Sequence, residues 1–172
     1  MKLLLLDADV IIGLLEAGLW EKVLGAYDVH IPATVITEVA FYFSPSGEKI
    51  RVDLPSDYAG KFKMASIDAI TISQLTSRIS KYCEIELHSG ELEALAILEK
   101  DKRSTKLCTC DKSAIIAAKL LELDDRVISF EKLLVSIGYS KKTLKLKPSQ
   151  KEDTFKKHLH QGSIIKVQHF KA

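Results

Sequence analysis

The chain opens on "KLLLL", a wholly apolar run that stops at a carboxylate, Asp7. A run this short and this apolar fits a strand covered on both faces, the kind found in parallel sheets. The theme recurs. After "KLLLL" comes the helical pattern "ADVIIGLLEAG", and "LWEKVLGAY" reads as a second short helix. After "DVHIP" comes "TVITEVAFYF", read as helix with Thr34 as its N-cap. "IDAITIS" reads as strand and "SQLTSRISKY" as helix. "HSGELEALAILEK" is a helix capped by Ser89. "KLCTC" precedes "DKSAIIAAKLLEL", and "RVISF" precedes "EKLLVSIG", closed by Gly138. Between these units, "SPSGEKIRVDLPSDYAG" reads as loop. Within it Ile50, Val52 and Leu54 alternate with charged residues, as in a half-exposed strand or hairpin arm. Strands alternating with helices dictate an α/β fold. The expected form is three-layer α/β/α with a central, mainly parallel sheet.

With 172 residues the chain suits one domain with a proper core. Asp7 and Asp9 interrupt the leucine run, so no signal peptide is expected, and no apolar stretch has the length of a membrane span. Cys83, Cys108 and Cys110 make no disulfide framework, and "CTC" matches neither zinc nor redox spacing. A reducing cytoplasm is the expected setting. Charge is uneven. Residues 139–172 carry nine Lys against Glu152 and Asp153, a balance of +7, which leaves the body at −5 within a total of +2. This basic extension reads as separate from residues 1–138. "SQKEDTFKKHLHQG" is a helix with Ser149 and Glu152 in capping-box spacing and an end at Gly162, and "SIIKVQHF" is a last strand.

Four acids occupy equivalent places. In open parallel sheets, sites form outside the carboxyl ends of the strands. Asp7 and Asp111 each follow a strand directly. Glu38 lies one turn into a helix after a strand, and Glu91 lies in a first helical turn. Any one of them also suits a cap or a helix dipole. However, Glu38 sits among Val35, Ile36, Val39 and Phe41, and Glu91 shares a coreward stripe with Leu95 and Leu98. Glu93 shares its stripe with Ala96, Ile97 and Lys100, a face ending in a charge. Two carboxylates ~5 Å apart at an effective dielectric of ~20 repel by roughly 3 kcal/mol. Six such pairs exceed the net stability of a typical domain, about 5–15 kcal/mol. A cluster of four therefore calls for partial protonation, spreading, or a bound cation. Oxygen ligands of this kind suit Mg²⁺ or Mn²⁺.

"LLLLDADVII", "IPATVITEV", "LHSGELEALAIL" and "LCTCDKSAIIAA", taken together over residues 2–138, resemble the PIN domain, a fold of metal-dependent ribonucleases. The resemblance implies Asp7, Glu38, Glu91 and Asp111 as catalytic, metal-binding acids, with Asp9 as an auxiliary ligand. It implies Thr109 as an orienting neighbour of Asp111 and leaves Glu93 beside the third acid. It implies Mg²⁺ or Mn²⁺ as cofactor, RNA as substrate, and products with a 5′-phosphate and a 3′-hydroxyl. Many small PIN proteins are toxins of toxin–antitoxin pairs, so an antitoxin protein and a homodimer are the implied partners. The extension has no counterpart in the minimal PIN fold. Its Lys141, Lys142, Lys145, Lys147, Lys156 and Lys157 are candidate contacts for an RNA backbone.

Two rivals stand beside this reading. "LLLLDADVII" also resembles the opening motif of haloacid-dehalogenase-type phosphatases, with Asp7 as nucleophile and "ELDDRVIS" offering a later acidic pair. Val10 and Ile11 replace the Gly-Thr usual there. The other rival is a non-catalytic PIN-like module that binds RNA or protein. Trp20, Tyr27, Phe41, Tyr42 and Phe43 read as core or interface rather than base-stacking platforms, and His158 and His160 read as solvated.

Overall fold

The structure is a computed structural model and describes residues 2–101, 104–140 and 145–169. Five parallel strands form the central sheet: β1 (Leu3–Leu6), β2 (Asp28–Pro32), β5 (Lys63–Ala65), β6 (Lys106–Cys108) and β7 (Val127–Ile128). Their order is β5-β2-β1-β6-β7, and each neighbouring pair is parallel. From β1 the chain steps outward to β2 and β5, then crosses to the other side of β1 for β6 and β7. The carboxyl ends of β1 and β6 therefore flank the point where strand order reverses, the place where such sheets open a crevice.

Alternation along each strand sends side chains to opposite faces. Leu4 and Leu6 join one apolar cluster with Val10, Ile11 and Leu14 of α1 (Ala8–Glu16), Trp20 of α2 (Trp20–Ala26), Val35 of α3 (Ala33–Glu38) and Phe130 of α8 (Phe130–Ser136). Leu5 and Leu107 join a second with Leu75 of α5 (Ala69–Ile79), Leu95 and Leu98 of α6 (Ser89–Lys100) and Ile115 of α7 (Lys112–Leu120). Helices thus cover both faces of the sheet, an arrangement that fits three layers.

Four local expectations are corrected. The segment read as one helix through Phe43 ends at Glu38. Phe41–Phe43 is a strand, β3, paired antiparallel with β4 (Lys49–Arg51) in a separate hairpin. Gly47, at φ +84°, supplies the left-handed residue that closes its turn. "IDAITIS" is helical from Ala69. Asp68 caps it by accepting from the Thr71 N–H at 2.8 Å, and Thr71, Leu75 and Ile79 bury one face. The edge strand lies just upstream, at β5. Neither Thr34 nor Ser89 is an N-cap: the caps are Pro32 and His88, and Thr34 has another partner.

The fourth correction concerns the C-terminus. "SIIKVQHF" is not a strand. One helix, α9 (Glu152–His169), runs straight through Gly162. It starts with the Glu152 N–H donating to the Glu131 carboxylate at 2.7 Å rather than to Ser149. Gly162 is a contact point instead of a stop: a Cβ there would meet the Lys119 Cβ at 2.8 Å and the Ile116 carbonyl oxygen at 3.1 Å, both on α7. Phe155 is buried in the second cluster. Lys141 and Lys142 lie outside the described residues.

Candidate acidic cleft

Asp7 follows β1 and caps α1, its Oδ1 accepting from the Ala8 N–H at 2.6 Å. Its other oxygen accepts from the Thr109 hydroxyl at 2.7 Å. Thr109 is itself buried and accepts from the Asp111 N–H at 3.1 Å. Asp111 follows β6 and caps α7 through the Ala114 N–H at 2.7 Å. One threonine hydroxyl thus links the two aspartates across the reversal point of the sheet. Each aspartate is fixed by the first turn of the helix it begins, which also favours negative charge there.

Two further carboxylates enter from neighbouring helices. Glu91, in the first turn of α6, accepts from the His88 N–H at 3.0 Å. Glu38 ends α3 and lies against Gly90, where a Cβ would stand 2.9 Å from its Oε2. Together with Asp7 and Asp111, these two and the exposed Asp9 line one cleft of about 400 Å³, with Ala8, His88 and Ser89 completing the wall.

The electrostatics follow from this crowding. Burial raises the Asp7 carboxyl to about 6, helped by Asp9 and Asp111 and opposed by the Thr109 hydrogen bond. Burial raises Glu91 to about 7, with Asp111 and Asp7 adding to it. Both carboxyls are pushed toward the neutral form in a cleft that concentrates like charge. Among the described residues, no group of three or more His, Cys, Asp and Glu side chains is gathered closely enough to hold a metal ion.

Glu93 faces elsewhere. It is buried, and its Oε2 accepts from the Thr34 N–H at 2.8 Å and the Thr34 hydroxyl at 2.6 Å. The carboxylate pins α6 to the start of α3, so it orients the two helices that carry Glu91 and Glu38. The stripe argument put Glu93 on a face ending in a charge and Glu91 on the coreward one, but α6 is covered on more than one side, and a single-stripe rule fails for such a helix.

Lys145, Lys147, Lys156 and Lys157 are exposed, and none lines the cleft. Lys147 pairs with Glu16 at 3.2 Å, at the far end of α1 from Asp7. His158 of α9 is half-buried, and its pKa is lowered by burial and by Lys112, against an opposing pull from Asp111. His88, Ser89 and Gly90 were legible only as a helix start. Nothing in their spacing pointed to a cleft wall. Comparison of the chain with protein-family models, curated proteins and solved structures yields no match.

Proposed function

We propose that this chain is a Mg²⁺- or Mn²⁺-dependent endoribonuclease of the PIN type, working through Asp7, Glu38, Glu91 and Asp111. One observation carries the reading: four carboxylates from four different elements face one cleft at the strand-order reversal. Their chemistry fits a hard divalent cation, since all are oxygen donors. Asp7, Glu91 and Asp111 are the residues that would hold it, with Glu38 and Asp9 beside them. No three of the described side chains are gathered closely enough to do so as they stand, so binding would have to draw them together. A cation bound there would shield the scissile phosphate and lower the pKa of an attacking water. The protein's own part is positional. Thr109 and the Ala8 N–H hold Asp7, the Ala114 N–H holds Asp111, and Gly90 leaves room for the Glu38 carboxylate.

The phosphatase reading lacks its second acidic pair. Asp124 and Asp125 precede β7 and so lie at the amino end of the sheet, opposite Asp7, and Asp124 pairs with Lys119 at 2.8 Å. If the likeness extends to the toxin members of the PIN family, an antitoxin protein and a homodimer are the partners to test for. The ribonuclease reading also assigns the basic extension to the RNA backbone.

The test is cleavage of mixed single-stranded and structured RNAs with Mg²⁺, Mn²⁺ or EDTA. Metal-dependent cleavage that Asp7→Asn abolishes is the expected result. RNA binding without cleavage in Mn²⁺ would assign the chain to the non-catalytic module instead.

A further inference from the structure

The β3–β4 hairpin follows Glu38 almost directly. Its register pairs Phe41 with Arg51 and Phe43 with Lys49. Cross-strand partners and alternate residues share a face, so Phe41, Phe43, Lys49 and Arg51 all project from one side. Tyr42 and Ile50 take the other side, where Tyr42 packs against the first core cluster. Trp20, Phe130 and Phe155 are buried. Here Phe41 is 37% exposed and Phe43 48%. The two rings meet edge to face at 5.7 Å, and the Lys49 ammonium sits 3.8 Å above the Phe41 ring centroid. Phe41, Lys49 and Arg51 also border a hollow of about 530 Å³. Two acids border it as well: Asp53 caps the Ser56 N–H and hydroxyl, and Asp57 accepts from the Asp53 N–H, so both are held in place at the rim, opposite in charge to the two cations.

We propose that this outer hairpin face is a stacking platform for single-stranded RNA, which leads the strand into the acidic cleft. The inference rests on the ribonuclease reading above. Three features support it together. Exposed aromatic rings stack on any base, and neighbouring cations meet the backbone phosphates, the pairing used by sequence-tolerant single-strand binders. The cations matter because the cleft itself repels a polyanion. Protein interfaces, by contrast, are depleted in charge at their core, whereas here Lys49 stands over the ring. The platform is also close: the three chain steps from Glu38 to Phe41 span at most about 11 Å.

The test measures binding of a short single-stranded RNA, and of its duplex, to the full chain in EDTA, so that cleavage does not interfere. Cleavage in Mn²⁺ is followed separately. The platform predicts that the double variant Phe41→Ala, Phe43→Ala loses about tenfold or more in single-strand affinity per ring, with an unchanged melting temperature. Trp at both positions should restore binding, whereas Leu, which is apolar without a π-face, should not. Lys49→Ala with Arg51→Ala should flatten the salt dependence. Affinity unchanged by Phe41→Ala, Phe43→Ala overturns the platform, while metal-dependent cleavage by the wild-type chain would leave the ribonuclease reading intact. If Leu serves as well as Phe and the alanine variant converts a dimer to a monomer, the face joins copies of this chain and the proposal is wrong. A wild-type chain that binds no single-stranded RNA also overturns it, and its cleavage assay then decides the ribonuclease reading independently.

Discussion

Asp7 illustrates how one residue serves two opposed ends. Both its oxygens are hydrogen-bonded, yet burial beside Asp9 and Asp111 holds its carboxyl near 6. In the unfolded chain the value returns to about 3.8. The folded state therefore keeps its proton over a range in which the unfolded state has lost it. The contribution of Asp7 to the stability of the metal-free protein is fully present below about pH 4 and is lost as pH rises through about 6, by roughly 3 kcal/mol at most. Glu91 acts with the same sign and extends the fall toward pH 7. Denaturant melts in EDTA across this range should show the decline, and Asp7→Asn should flatten it while abolishing cleavage. A melting profile of Asp7→Asn as steep as the wild type would place the titrating group elsewhere. The neighbouring pair Glu91 and Glu93 should divide by role. Glu91→Gln relieves repulsion, so it should cost activity but no stability. Glu93→Gln loses the charge on a buried double acceptor and should cost about 1–3 kcal/mol, with activity following only as far as Glu38 shifts. Activity and urea melts of the two variants separate these roles.

At the scale of elements, the cleft depends on how closely α3 and α6 approach. Gly90 permits that approach, because a Cβ would meet both the Glu38 carboxylate and the buried Val35 Cγ2 at 2.9 Å. Helix propensity alone would favour Gly90→Ala by about 1 kcal/mol. Crowding of Val35 should cost about 1–3 kcal/mol, so stability should fall slightly. Activity should fall further, since the flexible Glu38 side chain is the easier group to displace. Equal activity in Gly90→Ala would show that the position of Glu38 is not critical. The helices α7 and α9 use the same device at Gly162. Local pattern made Gly162 look like a helix end, and only the packing of the two helices explains a glycine in mid-helix.

For the whole molecule, a cation that binds only the folded cleft must raise the melting temperature. The gain is about 2.7 kcal/mol at a hundredfold excess over Kd, and EDTA should reverse it. The quadruple variant Asp7→Asn, Glu38→Gln, Glu91→Gln, Asp111→Asn should show no shift in Mg²⁺ or Mn²⁺. An equal shift in that variant would put the ion at another place. Charge is also a property of the whole chain, with a body at −5 and residues 139–172 at +7. Because Phe155 lies in the core, removing the extension would open the fold. Point substitution of Lys145, Lys147, Lys156 and Lys157 is the cleaner probe. If each meets a phosphate of single-stranded RNA, the slope of log affinity against log salt should flatten by about 3. An unchanged slope would free these lysines from any RNA role.

By itself the sequence determined the strand–helix alternation, the parallel sheet and the places of Asp7 and Asp111. These follow from local rules: an apolar run needs cover on both faces, and a carboxylate after a strand caps the next helix. The sequence also placed Glu91 in a first helical turn and Glu38 one turn into the helix after its strand, both near the same edge; that α3 ends at Glu38 came from the structure. Only the tertiary structure decided the rest. It made a strand of Phe41–Phe43, because a partner at Lys49–Arg51 satisfies its backbone. It buried Glu93, because Thr34, far away in the chain, supplies two donors. It turned the last segment into helix, because α7 offers a surface that Phe155 and Gly162 fit. The hairpin partner lies only a turn away, but Thr34 and α7 lie far in sequence from Glu93 and α9. In each case the deciding contact is between segments, which the periodicity and propensity of one segment do not report.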